Sequence, residues 1–153
     1  MSEILIRQAT MTDVAPVCDL MAQLGYPVAE ALLARRLAQL LDHPDAAHWV
    51  ALQGPRLVGV ISVHFIPQLP LAGDFARISY LCIDACAQGL GIGRQLLQQV
   101  EQAASGRGCD RIELHCHTRR SGAHAFYEQC GFADEPRYFC KRLPPATRAE
   151  EPR

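Results

Sequence analysis

Apolar positions along the chain recur with two periods, and the period assigns each segment to helix or strand. Residues 3–8 read as a first strand. Thr10 stands three residues before Asp13, an N-cap pattern with an acid in the first turn. Val14, Val17, Cys18, Met21 and Leu24 follow at helical spacing, and Gly25 ends that helix. Leu33, Leu37, Leu40 and Leu41 mark a second amphipathic helix, and residues 42–45 a loop. The apolar runs 48–53 and 57–66, joined by Gly54-Pro55-Arg56, predict a hairpin. The second run is apolar on both faces, as in a central strand. Residues 67–74 form a loop and 77–84 a fourth strand. Ile92, Leu96, Leu97, Val100 and Ala104 set a third helix that stops near Gly106 and Gly108. Residues 111–117 read as a fifth strand. Ala123, Phe126, Tyr127 and Cys130 lie at i, i+3, i+4 and i+7, so a fourth helix precedes Gly131. Residues 137–143 read as a last strand. The order β-α-α-β-β-β-α-β-α-β predicts an α+β fold with a largely antiparallel sheet. Residues 1–143 are expected to form a single domain, and 144–153 a polar, disordered tail.

Composition narrows the function. The chain has 153 residues, of which 49% are apolar, enough for one core and too many for a disordered chain. Fifteen basic residues face sixteen acidic ones, with no polybasic run, so neither a nucleic-acid nor a membrane partner is expected. The longest apolar stretches, such as 57–63, fall far short of a membrane span, and Met1-Ser2-Glu3 lacks the marks of a signal peptide. A cytoplasmic setting is the expectation. The seven cysteines are irregularly spaced without a C-x-x-C pair, unlike a disulfide framework. His115-Cys116-His117 would alternate between strand faces and could not converge on one ion, so no metal site is expected.

The informative stretch is Gln88-Gly89-Leu90-Gly91-Ile92-Gly93-Arg94, which follows a strand and opens a helix. Glycine there allows a tight turn and a close approach to a ligand. The amides and positive dipole end of a helix N-terminus suit a phosphate. A Walker loop is excluded because no Gly-Lys-Ser/Thr follows. A dinucleotide fingerprint would need its third glycine where Arg94 stands, and the preceding run of three strands does not match a Rossmann start. A third reading is a pyrophosphate cradle for coenzyme A, of the form Gln/Arg-x-x-Gly-x-Gly/Ala, and the context of the stretch is what makes it specific.

Leu81-Cys82-Ile83-Asp84 precedes this loop, and Ala123-His124-Ala125-Phe126-Tyr127-Glu128-Gln129-Cys130-Gly131-Phe132 follows one strand later. The pairing resembles the GNAT N-acetyltransferase superfamily over nearly the whole chain, with one motif across residues 77–106 and a second across 120–132. The resemblance implies acetyl-CoA-dependent acetylation of a small-molecule primary amine by direct attack in a ternary complex. It implies a mixed, mostly antiparallel sheet of six or seven strands flanked by four helices. Strands four and five would lie parallel and splay into a V that admits the pantetheine arm. Residue by residue, it places pantetheine on the backbone of the Leu81-Cys82-Ile83 segment. It places the pyrophosphate on Gln88 and on the amides of Gly89, Leu90, Gly91, Ile92, Gly93 and Arg94. Tyr127 matches the family's proton donor. Arg120 departs from the pattern, standing where many relatives carry Asn. A homodimer is also implied, with Tyr138-Phe139-Cys140 as a candidate edge.

The chemistry explains these parts. An alkylamine, with a pKa near 10.4, must lose a proton before it attacks a thioester. The tetrahedral oxyanion needs an N–H donor, which strand amides near Ile83 can supply. The leaving thiolate needs a proton or a hydrogen bond, which a tyrosine hydroxyl can give. The general base is open: Arg77 and Ser79 stand where many relatives carry a carboxylate or histidine. Tyr80, Glu113, His115, His117, His64 or a water relay remain as candidates. Within the superfamily the chain resembles aminoalkylphosphonate-type small-amine acetyltransferases. That likeness rests on Ala47-His48-Trp49-Val50-Ala51-Leu52, Leu57-Val58-Gly59-Val60-Ile61, Ala123-His124-x-Phe126-Tyr127 and Tyr138-Phe139-Cys140-Lys141-Arg142-Leu143. Arg77, Arg119, Arg120 and Arg137 are candidate partners for an acidic group on the amine. A CoA-binding regulatory module and a protein N-terminus or lysine acetyltransferase are the alternatives, and an intact Tyr127 favours catalysis over the former.

Overall fold

The computed structural model describes residues 3–115, 121–134 and 139–145. They fall into two compact units, Met1–His117 and Thr118–Arg153. The first holds β1 (Ile4–Gln8), α1 (Val14–Leu24), α2 (Glu30–Leu41), β2 (Ala46–Gln53), β3 (Arg56–Ile66), β4 (Phe75–Ile83), α3 (Ile92–Gly106) and β5 (Ile112–Leu114). The second holds α4 (Ser121–Gln129).

Local chemistry sets the boundaries. Asp13 accepts the Thr10 amide at 2.8 Å and takes the Arg7 guanidinium on both carboxylate oxygens, also at 2.8 Å, so the start of α1 is anchored to β1. Gly25 closes α1 at φ 107°. Its amide bonds the Ala22 carbonyl at 3.1 Å, and the Tyr26 amide reaches the Met21 carbonyl at 2.8 Å, the two bonds of a Schellman closure. Gly131 repeats this after α4, with Gly131 N to Glu128 O at 3.1 Å and Phe132 N to Tyr127 O at 3.0 Å.

The strands lie in the order β1-β2-β3-β4-β5, with three antiparallel pairs and a parallel β4–β5 pair. One face of the sheet packs on α1 and α2: Val50, Val60 and Cys82 join Val17, Leu20 and Met21 in one buried cluster. The other face packs on α3. A Cβ added at Gly59 would sit 3.1 Å from Ile83 and 3.2 Å from both Ile92 and Leu96, so glycine lets this helix lie against β3.

The fold is the expected mixed α+β sheet with four α-helices, but five strands occur among the described residues rather than six or seven. The expected last strand is the difference. Phe139 to Leu143 are not in a strand, Phe139 is 92% exposed, and Arg137 and Tyr138 lie outside the described residues. An apolar alternation becomes a strand only when a neighbour takes its amides and carbonyls. The fifth strand is also shorter than expected: it ends at Leu114, His115 is outside it, and Cys116 and His117 are not described.

Candidate active site

Parity along β4 decides which backbone groups are available. The Asp84 amide bonds the Val58 carbonyl at 2.8 Å, so Cys82 and Tyr80, two and four residues back, also direct their amides to β3. The register shifts at Ser79, where β4 carries one extra residue opposite Ser62/Val63. Below this bulge Ala76 points its amide to β5, bonding the Arg111 carbonyl at 3.0 Å. Above it, Leu81 and Ile83 face the β5 side. The β5 ladder covers only Ala76 to Ile78, so from Ser79 onward that edge carries no ladder among the described residues. At about 3.3 Å per residue, it offers roughly 15 Å of open backbone, comparable with an extended pantetheine arm.

This edge runs into the glycine turn. Asp84 accepts the Cys86 amide at 2.9 Å, and Gln23 of α1 accepts the Ala85 amide at 2.9 Å, which fixes the turn after β4. Gly89 and Gly91 sit at φ 80° and 78°, where L side chains are strained, and a Cβ on either would meet nothing within 4 Å. The first bond of α3 is Gln95 N to Gly91 O at 3.1 Å. The amides of Ile92, Gly93 and Arg94 therefore lack helical acceptors and stand at the positive end of the helix. The donor set fits a pyrophosphate. The Gln88 side chain does not reach toward the turn: its Nε2 donates to the Ile83 carbonyl at 2.9 Å.

The polar candidates divide. The Glu113 carboxylate accepts from Arg77 at 2.9 Å and from Arg111 at 2.7 Å, and these guanidiniums hold its pKa below the usual carboxylate range. It is thereby a poor proton acceptor, and Arg77 spends its charge on Glu113 rather than on an acidic substrate group. His64 is pushed down by burial and by His43. Tyr80 and His115 are exposed, and His117, Arg119, Arg120 and Arg137 lie outside the described residues.

The sequence reading missed His48. It is buried in β2, opposite Ser62, and the Ser62 hydroxyl and His48 Nδ1 share a 2.8 Å hydrogen bond. Burial and His64 push the His48 pKa down to about 4. The Leu40 carbonyl pulls weakly the other way, yet Nε2 makes no hydrogen bond among the described residues. A histidine among apolar neighbours carries no local signal of such a pairing.

Within the second unit, Tyr127 lies half-buried on α4, 5.3 Å from the Phe126 ring and 5.8 Å from the Phe132 ring, both edge-to-face. No helix among the described residues is long and apolar enough to cross a membrane.

A strand edge without a ladder among the described residues, leading to a glycine turn and a helix N-terminus on a mixed sheet with helices on both faces, has the backbone donors that an acyl-CoA would need. Residues 14–132 match the model of the acetyltransferase (GNAT) family, and the chain belongs to that family. It is an acyltransferase that uses acetyl-CoA. It is 32% identical over 143 residues to an aminoalkylphosphonate N-acetyltransferase of Salmonella typhimurium, covering 90% of each chain. Among solved structures, a transcriptional regulator from Bacillus halodurans C-125 superposes with TM-score 0.85 at 26% identity, covering 92% of this chain and all of that one. An aminoglycoside N-acetyltransferase in complex with CoA shares the fold, with TM-score 0.84 at 15% identity over 94% and 96% of the two chains.

Proposed function

We propose that the protein transfers the acetyl group of acetyl-CoA to the primary amine of a small molecule by direct attack in a ternary complex. The observation that carries this reading is the edge of β4 beyond Ile78, which carries no ladder among the described residues and leads to the Gly89–Gly91 turn at the N-terminus of α3. Bound acetyl-CoA supplies the thioester. The amides of Leu81 and Ile83 hold the pantetheine arm in line with the strand, and an amide near Ile83 donates to the oxygen where negative charge develops. The amides of Gly89 to Arg94 hold the pyrophosphate. Overall the C–N bond forms, the C–S bond breaks, and one proton passes from nitrogen to sulfur. Tyr127 delivers a proton, or a hydrogen bond, to the departing sulfur; its match to the family motif supports this role. Residues 1–143 act as one catalytic domain, in a cytoplasmic homodimer.

The test is thiol release from acetyl-CoA with a panel of amines, for the parent and for Tyr127→Phe. This substitution keeps the ring between Phe126 and Phe132 and removes only the hydroxyl. A positioned acid is worth about 10²–10⁴ in rate, so kcat is expected to fall by that order. Acetyl-CoA affinity and Tm, measured on the same sample, stay at parental values. Near-parental kcat would remove Tyr127 from the mechanism, and no thiol release with any amine would remove the acetyltransferase reading.

A further inference from the structure

The face from which the amine approaches is set by what already covers β4. In the plane of the sheet, the open edge is taken by the pantetheine arm under the reading above. On one face Ile83 packs against Gly59 beneath Ile92 and Leu96 of α3, which closes that side. On the other face α1 covers Cys82, whose Sγ donates to the Leu20 carbonyl at 3.3 Å. Cover stops before Tyr80, two residues back on the same face and 40% exposed. The opening therefore begins at Tyr80, beside the Leu81 amide, at the end of the edge remote from the glycine turn.

A second tyrosine flanks this opening. Tyr26 meets Tyr80 edge-to-face with ring centroids 5.4 Å apart and planes at 84°, and it is 56% exposed. Tyr26 is held where it is by the closure of α1: its amide bonds the Met21 carbonyl, and Gly25 takes the positive φ that the closure requires. Two rings fixed against each other, each with apolar surface in water, make a wall for a flat partner. The two guanidiniums beside the β4–β5 ladder are committed: Arg77 and Arg111 both pair with Glu113, and Arg111 also with Asp110.

Resting on the acetyltransferase reading, we propose that Tyr26 and Tyr80 form an acceptor-binding wall that selects primary amines carried on an apolar, preferably aromatic, body. A stacked ring gains apolar burial and edge-to-face contact, and an arriving ammonium gains the ring faces of the tyrosines before it is deprotonated. An acceptor bearing a phosphonate would compete with Glu113 for Arg77 and Arg111.

The test is steady-state kinetics with 2-phenylethylamine, 2-aminoethylphosphonate and glucosamine, with acetyl-CoA affinity measured by calorimetry. The parent is expected to show its highest kcat/KM for 2-phenylethylamine. Tyr26→Ala and Tyr80→Leu raise KM for that amine by roughly tenfold, the worth of one aromatic contact with its burial. They leave acetyl-CoA affinity unchanged. Tyr26→Phe and Tyr80→Phe keep the rings and retain near-parental KM, so the proposal stays testable if a truncated variant loses Tm. A parent that prefers the phosphonate or the sugar would overturn the wall, as would an unchanged KM for 2-phenylethylamine in both truncated variants. If acetyl-CoA does not bind and no amine releases thiol, the underlying reading fails, and the wall fails with it.

Discussion

The side chain of Gln88 is tied to the backbone of Ile83: Nε2 donates to the carbonyl at 2.9 Å, joining the entry of the glycine turn to the end of β4. The bond spans five residues and holds the strand end and the turn as one unit. Gln88→Ala removes it at an exposed site, where a hydrogen bond is worth about 1 kcal/mol. The expected result is an acetyl-CoA Kd raised about fivefold, with kcat for a responsive amine little changed. Calorimetry and steady-state kinetics on the same variant check it; a fall in kcat at unchanged Kd would show that Gln88 acts elsewhere.

Gly91 sits at φ 78° with open space where a Cβ would go. Gly91→Val therefore suffers backbone strain rather than a clash, costing on the order of 1–3 kcal/mol of stability. It also puts a branched side chain where the pyrophosphate must approach the amides, and acetyl-CoA affinity is expected to drop by at least roughly tenfold. Gly91→Ala should fall between. Binding as tight as the parent's in a folded Gly91→Val would place the phosphates elsewhere.

His48 makes stability depend on pH. The folded ring titrates at about 4 against an ordinary 6.5, so between these values the unfolded chain binds the proton and the folded one does not. The His48 contribution is expected to fall as the pH drops from 6.5 toward 4 and to level off below, a loss on the order of 3 kcal/mol, while the ion-paired carboxylates of Asp13 and Glu113 go on losing stability at lower pH. His48→Asn can keep a hydrogen bond to Ser62 but cannot titrate, and its pH slope over that window should be shallower. Denaturant melts at several pH values give the comparison, and equal slopes would show that the dependence arises at other groups.

The Arg7–Asp13 pair is asymmetric, with the Arg7 side chain 34% exposed and that of Asp13 5%. Removing the arginine strands a buried carboxylate, whereas removing the carboxylate leaves a guanidinium that can reach water. Arg7→Leu is therefore expected to cost about 3–4 kcal/mol and Asp13→Asn about 2 kcal/mol. Urea melts decide the order of the two losses, and the reverse order would contradict the burial argument.

Short-range regularities determined much of this protein. The spacing of Val14, Val17 and Met21, the stop at Gly25, the hairpin around Pro55 and the stripe Ile92, Leu96, Val100 and Ala104 each depend on neighbours within a few residues. All of these appear in the fold. The glycine turn was legible for the same reason, since a positive φ at Gly89 and Gly91 is a property of the chain itself. Tertiary structure decided the rest. The extra residue at Ser79 reverses the parity of β4 and turns Leu81 and Ile83 toward the open edge, a choice fixed by pairing with Ser62 and Val63. Glu113 lost its candidacy as a base to Arg77, 36 residues away, and His48 found Ser62 across 14. The apolar run at Phe139 found no strand neighbour among the described residues. Periodicity reports which face of an element is apolar. Which carboxylate meets which guanidinium, and which strand edge stays open, is set by register between distant segments, and the sequence pattern carries no local trace of it.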